Sequence, residues 1–173
     1  MRIFGLTDDV NFIAMEDLFA GFKYKKHKIT ELTDKDKELI TAAKMVAKDA
    51  YAPYSGFKVG AAVRLVNDKI LTGSNQENAA YPSGLCAERV ALFYCGANYP
   101  EIPVKDIAIV ALGKSNIITD KPVPPCGACR QVIVETAGRF KQTIRLLLVG
   151  KESVIEIKDA NDLLPLLFDT SYL

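Results

Sequence analysis

The sequence predicts an α/β domain in which helices pack on a mixed sheet of five strands. Two observations lead to this fold class. Apolar residues recur at helical spacing in some segments and at strand spacing in others, and turn residues separate these segments. The chain also has 173 residues, which suits one domain that buries its core without disulfides.

The first helix is expected to begin at Thr33, because Thr33–Asp36 resembles a capping box. Pro53 and Gly56 then break the chain into a loop. The apolar residues that recur at helical spacing between these points are Leu39, Ile40, Ala43, Val46, Ala47 and Ala50.

A hairpin is expected next, with strands at 58–66 and 70–74 around a turn at Asn67–Lys69. A second helix should run from Cys86 to about Ala97, followed by a buried strand at 107–112.

The third helix should open at Cys126 and end before Gly138, which suits a helix C-cap. Strands at 144–149 and 154–157 and a short helix at 159–167 complete the pattern.

The segment before the first predicted helix is interpreted as an addition to the domain. We therefore divide the chain into an N-terminal extension, 1–32, and a main domain, 33–173, which carries the candidate functional residues. A strand near Arg2–Leu6 and a short helix around Met15–Phe19 are expected within the extension.

Charge gives no sign of a nucleic-acid or membrane partner. Lys and Arg number 22 and Asp and Glu 21, so the net charge is +1. No apolar stretch approaches the roughly 20 residues that span a bilayer, and acidic residues appear too early for a signal peptide. We expect a cytoplasmic protein. The only histidine, His27, lies in the basic run Lys23–Lys28, which is interpreted as a solvated turn; a nucleic-acid or phosphate patch is the alternative.

Three cysteines have the spacing of zinc ligands. Cys86 precedes Glu88 by two residues, and Cys126 and Cys129 form a Cys-x-x-Cys. Catalytic zinc sites take three protein ligands and leave a position for water, and a nearby glutamate can manage the protons of that water. Alone, the Cys-x-x-Cys would belong to a redox or a structural zinc site as often as to a catalytic one, but its combination with the Cys86–Glu88 segment favours catalysis.

Helix geometry supports an open site. Cys95 lies nine residues after Cys86, a rise of about 13 Å along a helix, so it cannot share the ion and is expected to be a small buried side chain. Both ligand segments open predicted helices, where the dipole favours thiolates. Three thiolates on Zn²⁺ leave a charge of −1, which Arg89 is placed to offset.

These motifs resemble the zinc-dependent nucleobase deaminases. Cys rather than His at position 86 narrows the resemblance to the cytidine deaminases. The segments that carry it run in order between Thr33 and Phe168: Tyr51–Ala61, Gly73–Tyr81, Cys86–Arg89, Pro125–Gln131 and Asp162–Phe168.

The resemblance implies a three-layer α/β/α domain with one Zn²⁺ per subunit, held by Cys86, Cys126 and Cys129. It also implies that Glu88 shuttles protons and that Asn75 and Glu77 bind the ribose hydroxyls. The other residues that it places at the substrate are Phe57 and Ala87, together with Tyr81 and Phe168, which would serve a neighbouring subunit of a homotetramer.

The expected reaction is hydrolytic deamination of cytidine and 2′-deoxycytidine. Three alternatives remain: a deaminase of another small molecule such as blasticidin S, a polynucleotide-editing deaminase, and a non-catalytic zinc scaffold. Asn75 and Glu77 favour a nucleoside, the near-zero net charge disfavours a polynucleotide, and Glu88 disfavours a scaffold.

Overall fold

A computed structural model describes residues 21–113 and 115–173, and its strands form one mixed sheet. The strands are β1 Lys25–Lys28, β2 Lys58–Leu65, β3 Ile70–Ser74, β4 Val104–Leu112, β5 Arg145–Val149 and β6 Ser153–Ile157; the helices are α1 Asp34–Ala47, α2 Ala87–Asn98 and α3 Gly127–Phe140. The order across the sheet is β1-β6-β5-β4-β2-β3. Neighbouring strands are antiparallel except β4 and β5, which run parallel and are joined through helix α3.

Both faces of the sheet are covered, which confirms the predicted α/β/α layers. In β2, Ala61 and Ala62 point to opposite faces: Ala61 packs with α2 and α3, and Ala62 packs with α1. Glycines let the layers approach closely. A Cβ on Gly60 would lie 2.1 Å from the Ala43 carbonyl of α1, and one on Gly73 would lie 2.5 Å from the Ala91 nitrogen of α2.

None of the described helices combines the length and the apolar character needed to cross a bilayer.

The sheet contains a sixth strand, so the prediction of five strands is wrong by one. Residues 25–28, interpreted from the sequence as a solvated basic turn, pair with β6 as the edge strand β1. His27 is half-buried there, with Nε2 2.9 Å from Glu156 Oε2. The interpretation as a turn is wrong because a run of lysines is typical of loops but not confined to them. On an edge strand, lysines face solvent and discourage pairing with other chains.

The predicted N-terminal elements at Arg2–Leu6 and Met15–Phe19 lie outside the described residues. The division of the chain at residue 33 stays a prediction. Leu32, just before it, is 7% exposed and packs in the core beneath α1.

Two predicted helix ends are wrong. Helix α3 continues through Gly138 to Phe140, and Lys141 forms its C-cap in the left-handed conformation, φ 51°. A glycine inside a helix costs only about 1 kcal/mol, so the packing of the surrounding turns overrides it. The helix expected at 159–167 is a single 3-10 turn, Ala160–Leu163, because Pro165 disfavours helix at the residue before it.

A buried ionic network joins β1, α1, β4, β5 and β6. The Arg145 guanidinium lies 2.5 Å from an oxygen of Asp36, 2.7 Å from one of Asp106 and 3.4 Å from one of Glu156. Glu156 also pairs with His27. The network therefore ties the edge strand β1 to the centre of the sheet.

Burial by itself would raise the pKa of Asp36 and of Glu156, but hydrogen bonds outweigh it. Arg145 and Thr33 hold the pKa of Asp36 below its ordinary 3.8, and His27 and Arg145 hold that of Glu156 below 4.5. A lowered pKa in the folded state stabilises the fold above the unfolded pKa, and this contribution disappears as pH falls through the folded pKa. The network should therefore lose its effect below about pH 4.

We expect Arg145→Met to lower the free energy of unfolding at pH 7 by about 3 kcal/mol, because it leaves buried carboxylates without their cation. The fall of the melting temperature between pH 5 and pH 3 should also be shallower than in the wild type. Melting curves across this range measure both effects, with the exposed Lys158→Met as the matched control. Superimposable curves for the wild type and Arg145→Met would show that the network does not stabilise the fold.

Candidate active site

Three cysteines from two helices meet at one point. The sulfur of Cys126 lies 3.8 Å from that of Cys86 and 3.5 Å from that of Cys129. All three sulfurs lie within 4.8 Å of one another. Ligand sulfurs about 2.3 Å from a tetrahedral zinc stand about 3.8 Å apart, so the cluster fits the ion.

Helix starts place these thiols. Cys86 is the N-cap of α2 and Cys126 the N-cap of α3, and Cys129 lies in the first turn of α3, fully buried. Both helix dipoles therefore point their positive ends at the cluster, which favours thiolates and a bound metal with a negative ligand set.

The pKa values of two of these thiols, Cys86 and Cys129, are shifted in opposite directions. Hydrogen bonding from Cys129 is the main cause that lowers the pKa of Cys86 to about 5, and Arg89 lowers it further. The same interaction, with burial, raises the pKa of Cys129. Of these two thiols, Cys86 is therefore the more readily ionised before a metal binds, and Zn²⁺ would displace the remaining protons.

Glu88 lies in the first turn of α2 and is 4% exposed. Burial is the main cause that raises the pKa of its carboxyl, and the neighbouring Cys86 thiolate raises it further. A carboxyl whose pKa moves toward neutrality can both accept and release a proton, which suits general acid–base work.

Arg89 supplies a cation beside the thiolates. Its Nη2 lies 3.9 Å from the sulfur of Cys86 and 3.5 Å from the Gly84 carbonyl. Its Nε is buried and has no hydrogen-bond partner among the described residues. A buried guanidinium donor without a partner, on a side chain that contacts the Cys86 sulfur, fits the expected role of balancing the extra negative charge.

Cys95 takes no part in the cluster. It is 4% exposed in the core between α2 and the sheet, and burial raises the pKa of its thiol to about 11. The helix argument for leaving the site open is consistent with this position.

A cleft of about 480 Å³ opens beside the cluster. Cys86 and Arg89 line one part of it, and Asn75 and Glu77 line another. Its other lining residues are Tyr54, Ser55, Gln76, Asn78, Tyr81, Gly84 and Leu85. One cavity is therefore lined both by a candidate metal ligand, Cys86, and by the candidate ribose ligands, whereas Cys126, Cys129 and Glu88 are not among its lining residues.

Asn75 is held in place by the start of β2. Its Oδ1 accepts from Val59 N at 2.7 Å, and its Nδ2 donates to the Phe57 carbonyl at 3.0 Å. One lone pair and one N–H of the amide remain for a ligand.

Glu77 is held by the loop before β2. Its carboxylate accepts from Tyr54 N at 2.8 Å, from Ser55 N at 3.3 Å and from the Ser55 hydroxyl. The Ser55 hydroxyl is the main cause that lowers the pKa of Glu77. The carboxylate is thus ionised at neutral pH and keeps one acceptor position free.

The remaining predicted residues are distributed more widely. Ala87 is fully buried at the start of α2, and Phe57 is 37% exposed at the start of β2.

Tyr81 lies on the cleft of its own chain, edge-on to Tyr54 with 6.4 Å between ring centroids. Phe168 does not line this cleft; it lies 59% exposed at a separate hollow beside α2 and α3. The contacts of Tyr81 and Phe168 with a neighbouring subunit stay predictions.

Sequence reasoning gave no role to Ser55, which anchors Glu77, or to Arg130, which anchors the Cys126 segment. Both lie within segments that carried the resemblance, Tyr51–Ala61 and Pro125–Gln131. Ser55 contacts Glu77, which is distant in sequence, and Arg130 contacts the distant Leu163 as well as the nearby Pro125. Only the folded chain identifies those partners.

The fold and the site define a zinc-binding α/β protein with a buried glutamate beside three thiols. Residues 33–144 match the family model of the cytidine and deoxycytidylate deaminase zinc-binding region. The chain belongs to this family.

Individual proteins similar to this chain support the same family. The chain is 44% identical over 97 residues to the cytidine deaminase of Halalkalibacterium halodurans, covering 56% of this chain and 68% of the relative. It is 44% identical over 98 residues to that of Sporosarcina psychrophila, covering 57% and 67%. The crystal structure of cytidine deaminase from Burkholderia pseudomallei superimposes with a TM-score of 0.65 at 41% identity, covering 79% of this chain and all of the other.

Proposed function

We propose that this chain catalyses the hydrolytic deamination of cytidine and 2′-deoxycytidine to the corresponding uridines and ammonia, as in pyrimidine salvage. The observation that carries the proposal is the single cleft that joins Cys86 and Arg89 to Asn75 and Glu77. One ligand of the candidate zinc centre and hydrogen-bonding groups that suit a sugar line the same cavity, which supports the proposal.

Cys86, Cys126 and Cys129 would hold the zinc ion. When bound, Zn²⁺ acts as a Lewis acid that lowers the pKa of water, which makes a strong nucleophile available near neutral pH.

Glu88 would do the proton work. In the reaction a C4–O bond forms and the C4–N bond breaks, so the attacking water must lose protons and the leaving amine must gain one. Glu88 would accept a proton from the water and pass it to N3 of the base. It would later deliver a proton to the exocyclic amine, which leaves as ammonia.

Other residues of this chain would position the nucleoside. Asn75 and Glu77 each keep hydrogen-bonding capacity that suits the ribose hydroxyls, the 3′-OH in particular. Phe57 would pack by the pyrimidine, and Ala87 would also contribute to substrate binding.

We further propose a homotetramer in which Phe168 stacks on a neighbour's pyrimidine and Tyr81 approaches a neighbour's ribose. The exposure of both rings, 59% and 78%, supports this arrangement. Because the thiols of the cluster must stay reduced to bind metal, we place the chain in the cytoplasm.

The decisive experiment follows the ultraviolet absorbance of cytidine with the zinc-loaded chain, before and after a zinc chelator. We expect turnover that the chelator abolishes and added Zn²⁺ restores. Free cytosine and a cytosine-containing single-stranded oligonucleotide, offered in parallel, should react far more slowly. A chain that holds one equivalent of zinc and yet leaves cytidine unchanged would overturn the proposal.

A further inference from the structure

We infer that Arg130 is a positioning residue that fixes Cys126 for metal binding and anchors the C-terminal segment 163–173 to the same helix. The inference rests on the proposed zinc site and goes beyond it, because Arg130 itself is not a ligand. It is carried by three contacts of one side chain and its own backbone.

Arg130 holds the peptide groups on both sides of Cys126. Its Nε donates to the Pro125 carbonyl at 3.0 Å, and its backbone N–H donates to the Cys126 carbonyl at 2.9 Å. The side-chain contact orients the peptide that enters Cys126. The backbone contact is the first i to i−4 hydrogen bond of α3, which any residue at position 130 except proline would make, so only the side-chain contact depends on the arginine. The φ and ψ of Cys126, −67° and 167°, are thereby restrained from both sides.

Cys126 is the ligand that needs such support most. Cys129 is buried within the helix and Cys86 is partly buried with Arg89 beside it, whereas Cys126 is exposed. As the N-cap of α3 it makes no side-chain capping bond. Groups that orient a metal ligand without touching the metal commonly contribute a factor of about 10–100 in affinity or activity.

The same guanidinium reaches the C-terminal segment. Its Nη1 donates to the carbonyl of Leu163 at 3.3 Å, in the 3-10 turn that follows β6. The next residue, Gln131, donates from Nε2 to the Phe168 carbonyl at 2.9 Å. Two consecutive residues of α3 therefore hold the C-terminal segment, but only Arg130 also contacts Pro125, the residue before the proposed ligand Cys126.

The test measures zinc affinity by competition with a chromophoric chelator, without any substrate. Arg130→Met should weaken zinc binding by about 10–100-fold, and Arg130→Lys, which keeps the charge and one donor, should lose less. Arg139→Met on the last turn of the same helix is the matched control and should bind as the wild type does. Excess zinc should load Arg130→Met to the same one equivalent as the wild type, which a general packing defect would not allow.

Gln131→Ala tests whether loosening the C-terminal segment by itself affects zinc binding, because Gln131 contacts that segment and not Pro125. It should speed the release of C-terminal residues by carboxypeptidase while leaving zinc affinity within about twofold. The inference fails if Arg130→Met, or Arg130→Lys should the methionine variant not fold, binds zinc as tightly as the wild type. It also fails if Gln131→Ala weakens zinc as much as Arg130→Met. Because affinity is measured without cytidine, these outcomes are independent of whether the chain deaminates cytidine.

Discussion

Replacing Glu88 with glutamine should reduce turnover of cytidine by about 10³- to 10⁴-fold while leaving nucleoside binding nearly unchanged. General acid–base catalysis contributes about 10²–10⁴-fold, and here one carboxylate is proposed to serve as base and then as acid. The amide is close to isosteric, so the cleft and the three thiols should keep their geometry. Steady-state rates and a calorimetric dissociation constant for cytidine measure the two effects.

The control is Glu101→Gln, a change of the same chemistry at an exposed position before β4. It should turn over as the wild type does. If Glu88→Gln kept the wild-type kcat at full zinc occupancy, Glu88 could not be the proton carrier.

The second large effect is expected from a pair of changes on one helix. Cys86→Ala removes a proposed zinc ligand and should weaken zinc binding by roughly 10²-fold, because each ligand accounts for about 3 kcal/mol of a structural zinc site. Turnover should fall below detection at limiting zinc. Metal content after gel filtration, competition with a chelator and cytidine turnover report the loss.

Cys95→Ala is the matched partner of this change. It removes one buried sulfur from the core and should cost about 1 kcal/mol of stability. That corresponds to a melting temperature lower by about 2–4 °C in a chain of this size. Zinc content and turnover should stay at wild-type levels. Loss of zinc in Cys95→Ala, or its retention in Cys86→Ala, would contradict the proposed ligand set.

The cluster could be predicted from sequence because its geometry is local. Cys126 and Cys129 are three residues apart, and Cys86 and Glu88 share one helix start, so the period of the helix alone sets most of their relation. The local pattern does not show that the starts of the two helices meet at one point. That expectation depended on the resemblance to the deaminases.

Other features depend on contacts between distant segments. Arg145 meets carboxylates from three other elements, and the strand at 25–28 exists only because β6 offers it an edge. Neither the basic run nor the isolated carboxylates carry a local signal of these partners. The end of α3 was misplaced for a related reason, because the packing of α3 against the sheet outweighs the weak propensity of Gly138.

The order of the strands has a practical consequence. The described chain enters the sheet at β1, on one edge, while Asn75 and Glu77 follow β3 on the other edge. Five strand spacings separate these edges, about 24 Å. A fluorophore attached to a cysteine introduced at Lys23 would therefore sit far from the cleft that Asn75 and Glu77 line in the same chain, and would report on the proposed assembly without entering that cleft.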